Sequence, residues 1–248
     1  MIKEVIKKIF LSLGYEIRKQ NSCKEMDAFG YQKMLMEKFK GVNQVHTIFD
    51  VGAYDGQTAL LYASLFPKAR VYAFEPFSDS FQKAAELAKQ EARIEPYQLA
   101  VSSSNGKGML NVNKFEATNS LLVSNKIGNN IDELTHTIRT EEVKTTTLDA
   151  FCKNKDISFI DILKMDIQGG ELEALKGAEE LLKRQKIGLL YTEVEFVPIY
   201  KGQPLFSDIE LYLRQFDYQL YRIMNMYSDE TGQLLWADAI FLSNVCQK

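Results

Sequence analysis

A chain of 248 residues with 46% hydrophobic and 25% charged side chains has the makeup of an ordinary globular protein, with room for one large α/β domain and a small appendage. A formal net charge of -3 argues against a nucleic-acid partner. The three cysteines, Cys23, Cys152 and Cys246, are too few and too scattered for a disulfide framework or a zinc site, and no run approaches the roughly 20 apolar residues that cross a bilayer.

Residues 1–13 place Ile2, Val5, Ile6, Ile9, Phe10 and Leu13 at helical spacing against a lysine-rich face, with Gly14 as a stop. Such a helix docks on its own domain, docks on a second subunit of a homodimer, or makes a peripheral membrane contact through residues 1–18. Lys3, Lys7 and Lys8 interrupt what would be the apolar core of a secretory signal. The expected setting is therefore cytoplasmic, with reduced thiols. A weaker helical stretch covers residues 24–40. This reading divides the chain into a helical extension, 1–45, and a main domain, 46–248.

From residue 47 strands and helices alternate. Strands are predicted over 47–52, 70–74 and 97–101, with helices over 58–66 and 79–90 between them. Residues 102–146 break the rhythm, with short strands at 109–113 and 143–147 and a polar stretch, 116–142, expected as a mobile loop or insertion. The alternation resumes with strands over 159–165, 187–194, 218–223 and 239–243 and helices over 170–184 and 208–216. Gly177 falls inside a helical pattern, where close packing on the sheet would justify it. The order predicts an α/β fold with a mostly parallel sheet and helices on both faces.

In such a sheet, ligands settle beyond the carboxyl ends of the strands. The first strand runs into Asp50-Val51-Gly52-Ala53-Tyr54-Asp55-Gly56-Gln57-Thr58. Gly52 and Gly56 let the backbone turn sharply and approach a ligand closely. Asp50 and Asp55 make the loop a poor cradle for a pyrophosphate, which wants bare N–H groups and positive potential. They suit a ligand carrying a sulfonium and an ammonium, S-adenosylmethionine. Glu75, followed by Pro76, ends the second strand about twenty residues later, where a carboxylate accepts both ribose hydroxyls. A dinucleotide site would show Gly-x-Gly-x-x-Gly; this turn is Gly-x-x-x-Gly in acidic surroundings.

The fourth strand ends in Lys164-Met165-Asp166-Ile167-Gln168-Gly169-Gly170-Glu171 and the fifth in Glu193-Val194-Glu195. Asp166, Glu171, Glu193 and Glu195 then gather at the mouth of the sheet. Burial and like charge raise at least one pKa, which makes a usable general base. The alternative readings are that Asp166 or Glu171 caps the following helix and that Lys164 pairs with one of the acids. His46 stands before the first strand, at the wrong end. His136, in the polar middle segment, could act only as a lid residue. No spacing pattern demands a metal ion, so none is assigned.

Together these residues resemble the FkbM family of methyltransferases. The matching segments run from Ile48 to Thr58, Val71 to Pro76, Leu99 to Ser102, Thr147 to Asp149 and Ile162 to Gly177, with Thr192-Glu193. The resemblance implies a Rossmann-like, seven-stranded class I fold. It implies S-adenosylmethionine as methyl donor, and a hydroxyl on a sugar, glycan or polyketide-type product as acceptor. It carries over Asp50, Gly52, Gly56 and Glu75 as donor-binding positions, flanked by Ala53, Tyr54, Asp55, Thr58 and Pro76, with Ala100 and Val101 near the adenine. Ser120 matches a serine often seen after the third strand. Asp166 and Glu171 match the motif after the fourth. Where the family usually carries Glu, this chain has Gln168, one charge fewer.

The implied chemistry is in-line displacement at a methyl carbon, with alignment and a base as the protein's tasks. Asp166 or Glu193 is expected as base, with Glu171 and Lys164 beside it. Tyr191, Tyr200, Tyr212, Tyr218, Tyr221 and Tyr227, with Trp236, crowd the last quarter and suit a small-molecule or carbohydrate acceptor. The segment 200–204 is expected at the mouth. The rivals are an NAD(P)-dependent oxidoreductase, a non-catalytic donor-binding module, and an RNA or protein methyltransferase.

Overall fold

The computed structural model describes residues 26–128 and 130–244. The expected amphipathic helix over 1–13, its membrane or subunit contact, Cys23 and Cys246 lie outside the described residues. Among those residues no helix is long and apolar enough to cross a membrane.

Seven strands form the main sheet: β1 (Thr47–Val51), β2 (Arg70–Phe74), β3 (Ile94–Tyr97), β7 (Ile160–Met165), β8 (Ile187–Glu195), β9 (Gln219–Ser228) and β10 (Leu234–Leu242). Their order is β3-β2-β1-β7-β8-β10-β9. The first five run parallel, and β10 pairs antiparallel with both β8 and β9. Alternation along each buried strand feeds two cores. Phe49, Leu163, Leu190 and Phe241 point to one face, and Ile48, Ile162, Leu189 and Ile240 to the other. The first face is covered by α5 (Leu148–Asn154), α6 (Glu171–Lys176), α7 (Glu179–Lys183) and α8 (Phe206–Arg214). The second is covered by α1 (Ala28–Phe39), α2 (Gln57–Leu65) and α3 (Ser78–Ala88). The result is the expected three-layer α/β fold. Helix α1 belongs to this body: Ala28, Leu35 and Met36 are core residues, although the sequence boundary at residue 46 set it apart.

The structure differs from the sequence reading in three places. The single strand expected at 97–101 is two. β3 ends at Tyr97, and after a tight turn closed by Leu99 N–H to Tyr97 C=O, 2.9 Å, β4 (Ala100–Val101) leaves for a second sheet. Pro96, which cannot donate to a ladder, is tolerated because β3 is an edge strand. The polar stretch 116–142 is not a single loop. It holds a 3-10 turn (Glu116–Thr118), the short helix α4 (Asn130–Leu134) and the first half of β6 (Thr137–Thr146). β6 pairs antiparallel with β5 (Gly106–Asn113) and parallel with β4. This small sheet packs Leu110, Val112 and Val143 against Phe77 and Ala100, beside the mouth of the main sheet.

Third, the helix expected over 170–184 is broken into α6 and α7 at Gly177. Asp149 causes the break: its carboxylate accepts from Glu180 N–H and Leu181 N–H, both 3.0 Å, and so caps α7. A Cβ on Gly177 would lie 2.1 Å from the Ser102 carbonyl oxygen. Helix propensity alone says that Gly177→Ala stabilises by about 1 kcal/mol. The packing predicts the opposite sign, a loss of about 2 kcal/mol or more, because backbone atoms must shift. Urea unfolding of the variant decides between them.

Candidate functional site

Strands β1 and β7 are neighbours at the point where the strand order reverses, and in open α/β sheets a crevice opens there beyond the carboxyl ends. It holds a cavity of about 490 Å³, within the usual range for small-ligand sites. One wall is the turn after β1. Gly52 N–H and Ala53 N–H both donate to Phe74 C=O at 3.0 Å. Gly52 has φ +78°, and a Cβ there would sit 1.9 Å from the Asp166 carbonyl oxygen, so only glycine fits between the two strand ends. Gly56, φ +86°, opens α2 with no side chain in the way of Ala84.

Lys164 and Asp50 face each other across β1 and β7 as register partners. Lys164 Nζ lies 3.0 Å from Asp50 Oδ1 and donates to Gly52 C=O at 2.7 Å. Burial opposes the lysine's charge, but Asp50 and Asp166 hold its pKa above the ordinary value. Lys164, which also lines the cavity, thereby ties the glycine turn to the ends of β1 and β7. Asp50 is correspondingly buried and is not among the lining residues. Gly56 also lies outside the lining.

Glu75 does line it, at the end of β2. Oε2 accepts from Tyr54 N–H and Oε1 from Phe77 N–H, both 2.9 Å. These bonds fix the carboxylate's orientation and leave each oxygen a further lone pair. Burial raises its pKa to about 7, against the pull of those two N–H groups. Ala53, Tyr54, Asp55, Thr58 and Pro76 line the same wall. Opposite them Leu99, Ala100 and Val101 give an apolar slot, with Leu110 behind. Ser120 reaches the cavity from the small sheet, its hydroxyl donating to Gln168 C=O at 2.7 Å and accepting from Leu122 N–H at 2.9 Å.

Asp166, just past the end of β7, and Glu193, near the end of β8, also line the cavity. Gln168, in the left-handed region at φ +54°, joins them: its Nε2 donates to Asp166 Oδ1 at 2.9 Å and to Glu193 Oε2 at 3.0 Å. The amide thus bridges two carboxylates that a glutamate could only repel. Burial, then Asp166 and Glu195, push the Glu193 pKa well above the ordinary carboxylate range. Glu171, expected beside the base, is fully buried, accepts from Ile167 N–H at 2.8 Å, and is not among the lining residues. Burial raises its pKa to about 7. Glu195 is buried behind it. The segment 200–204 also stays out of the lining. Tyr200 is buried and braces the site from behind, its Oη 3.0 Å from Gln168 Oε1 and 2.8 Å from Thr118 C=O.

Sequence reasoning missed Phe29, Asn225 and Asp238, which line the cavity with Tyr191 and Trp236. Asp238 Oδ2 accepts from Tyr191 Oη and Asn225 Nδ2, both 2.6 Å. Its signal was pairing: Asp238 is the register partner of Glu193 across β8 and β10, which a single sequence does not reveal. His46 and His136 are both exposed and outside the lining. Among the described residues no group of His, Cys, Asp and Glu is arranged to hold a metal ion, and Cys152 is buried with its thiol pushed up to about 12 by desolvation.

The fit to the methyl donor rests on this donor set. An acidic lining, backbone held back by glycine, a carboxylate aimed by two backbone N–H groups and an apolar slot match a cationic nucleoside and would suit a pyrophosphate poorly. Comparison with known proteins agrees. The family model for the methyltransferase FkbM domain matches residues 50–220. The chain is 27% identical over 175 residues to the 2-O-methyltransferase NoeI of Sinorhizobium fredii, covering 66% of this chain and 70% of that one. It is 25% identical over 172 residues to the hexuronic acid methyltransferase AglP of Haloferax volcanii, covering 68% and 64%. The crystal structure of methyltransferase FkbM from Methylobacillus flagellatus superposes with a TM-score of 0.50 at 17% identity, over 78% of this chain and 43% of that one. With the seven-stranded sheet, the glycine turn and the family match over most of its length, this chain belongs to the FkbM family of S-adenosylmethionine-dependent methyltransferases.

Proposed function

We propose that the protein transfers a methyl group from S-adenosylmethionine to a hydroxyl of a sugar or glycan. The observation that carries this is one cavity with two chemically different ends. The end bounded by Gly52, Glu75 and Ala100–Val101 suits the donor. The end bounded by Asp166, Glu193, Asp238 and Trp236 suits a polyhydroxylated ring. Both NoeI and AglP are methyltransferases, and the name of AglP specifies a hexuronic acid.

Bound S-adenosylmethionine supplies an electrophilic methyl group with a neutral thioether as leaving group. The chain's own residues do the rest. Glu75 accepts the ribose hydroxyls, and Ala100 and Val101 flank the base. Asp55 and Asp166 put negative charge around the ligand's cations. Asp166 or Glu193 accepts the hydroxyl proton, Asp166 through Oδ2 or Glu193 through Oε1, the oxygens that Gln168 leaves free. Positioning by the aromatic wall supplies a large part of the rate.

Three outcomes follow. Glu75→Gln retains the fold but loses about tenfold or more in affinity for S-adenosylhomocysteine, measured by titration calorimetry; unchanged affinity removes Glu75 from the ribose role. Asp166→Asn and Glu193→Gln keep donor binding, and the one that removes the base lowers kcat by about 10²-fold or more. Because burial raises the Glu193 carboxyl, a base at that position is protonated at low pH and becomes competent as pH rises. Activity should therefore climb with pH, over a range above that of an ordinary carboxylate, and Glu193→Gln should flatten that limb if Glu193 is the base. A limb that survives unchanged in Glu193→Gln removes Glu193 as the base.

A further inference from the structure

We infer that the acceptor is a sugar without a carboxylate, gripped by three half-occupied acids, Asp166, Glu193 and Asp238, and that the site discriminates against hexuronates. This rests on the reading of the cavity as a glycan methylation site, and adds the charge of the acceptor to it.

Each of the three acids has one oxygen committed to the protein. Asp166 Oδ1 and Glu193 Oε2 share the Gln168 amide, and Asp238 Oδ2 takes both Tyr191 Oη and Asn225 Nδ2. Among the described residues, Asp166 Oδ2, Glu193 Oε1 and Asp238 Oδ1 carry no protein hydrogen bond, and all three residues line the cavity. Asp166 and Asp238, when ionised, only accept hydrogen bonds, whereas Glu193, its pKa raised by burial, also donates one when protonated. The complementary ligand therefore both donates and accepts, as a ring bearing several hydroxyls does. Glu193 and Asp238 are paired directly across β8 and β10, about 5 Å apart at Cα and on one face of the sheet. Trp236 lies two residues from Asp238 in the same regular ladder, so it projects to the same face. Tyr227 holds its ring by stacking, with centroids 4.1 Å apart and planes at 14°. A flat, fixed aromatic beside these carboxyl groups suits the C–H face and hydroxyl edge of a pyranose.

The exclusion is electrostatic. Asp55, Glu75, Glu116, Asp166, Glu193 and Asp238 line the cavity; Glu116 is paired with Lys83 at 2.9 Å, and the one basic lining residue among the described residues, Lys164, is 6% exposed and committed to Asp50 and Gly52 C=O. Among the described residues, nothing in the lining is free to pair with a sugar carboxylate. A hexuronate would bring a further carboxylate to this acid-rich lining, with no lining cation among the described residues left to pair with it.

The test uses the full chain, labelled S-adenosylmethionine, and pairs of methyl glycosides differing only at C6, hexoside against hexuronide, in the gluco, galacto and manno series. Binding of each sugar in the presence of S-adenosylhomocysteine is measured in parallel by saturation-transfer NMR. The expected result is at least tenfold higher kcat/KM for the hexoside of whichever pair is used, with the same order in binding. Asp238→Asn, isosteric and one charge lighter, should narrow that ratio about threefold or more while S-adenosylhomocysteine affinity, which reports an intact fold, stays unchanged. A hexuronide used equally or preferentially, or a ratio that ignores Asp238→Asn, overturns the charge rule and leaves glycan methylation standing. No label in any sugar, with S-adenosylhomocysteine still bound, overturns the glycan reading and this inference with it.

Discussion

The site depends on a buried ion pair. Lys164 on β7 reaches across the strand-order reversal to Asp50 on β1, and the same ammonium holds the Gly52 carbonyl. Both partners are almost wholly buried, so removing either one strands the other, a loss of about 3–5 kcal/mol in comparable pairs. The pair fixes the two strand ends that frame the cavity. Gly52 then fits against the Asp166 carbonyl because it has no side chain, and the turn stays open toward a ligand. The lysine charge is paired within the protein, and the cavity lining is left with acids in excess.

That excess organises the rest of the site. Glu75 is aimed by two backbone N–H groups, while Asp166 and Glu193 are held together by the Gln168 amide. Gln168 is itself anchored by Ser120 through its carbonyl and by Tyr200 through its side chain. The small sheet β4-β6-β5 is thus part of the site: it carries Ala100, Val101, Leu110 and Ser120 to one wall and braces the bridge between the two acids.

The fold was largely legible because its strands are buried on both faces and bounded by strong turn residues. β1 and β2 end where Gly52 and Glu75-Pro76 say they end. The cavity wall at the ends of β1 and β2 was legible for the same reason, since it is built from consecutive residues at strand ends. What escaped is what depends on pairing between distant segments. The antiparallel β10 puts Asp238 beside Glu193, and α1, far upstream, brings Phe29 to the cavity. The spacing of Glu171 from Asp166 fits either a mouth residue or a turn brace. Only the contact with Ile167 N–H distinguishes them. Likewise, the break at Gly177 is set by Asp149, whose capping role is long-range and invisible to helical periodicity.

The central claim is that a cationic nucleoside occupies the crevice between the Gly52 turn and Glu75. A crystal of the protein grown or soaked with S-adenosylhomocysteine tests it most directly. The account predicts the ribose hydroxyls on the Glu75 carboxylate, the adenine against Ala100 and Val101, and the sulfur facing Asp166 and Glu193. Clear density for the nucleoside at any other place, or an empty crevice at saturating ligand, contradicts it.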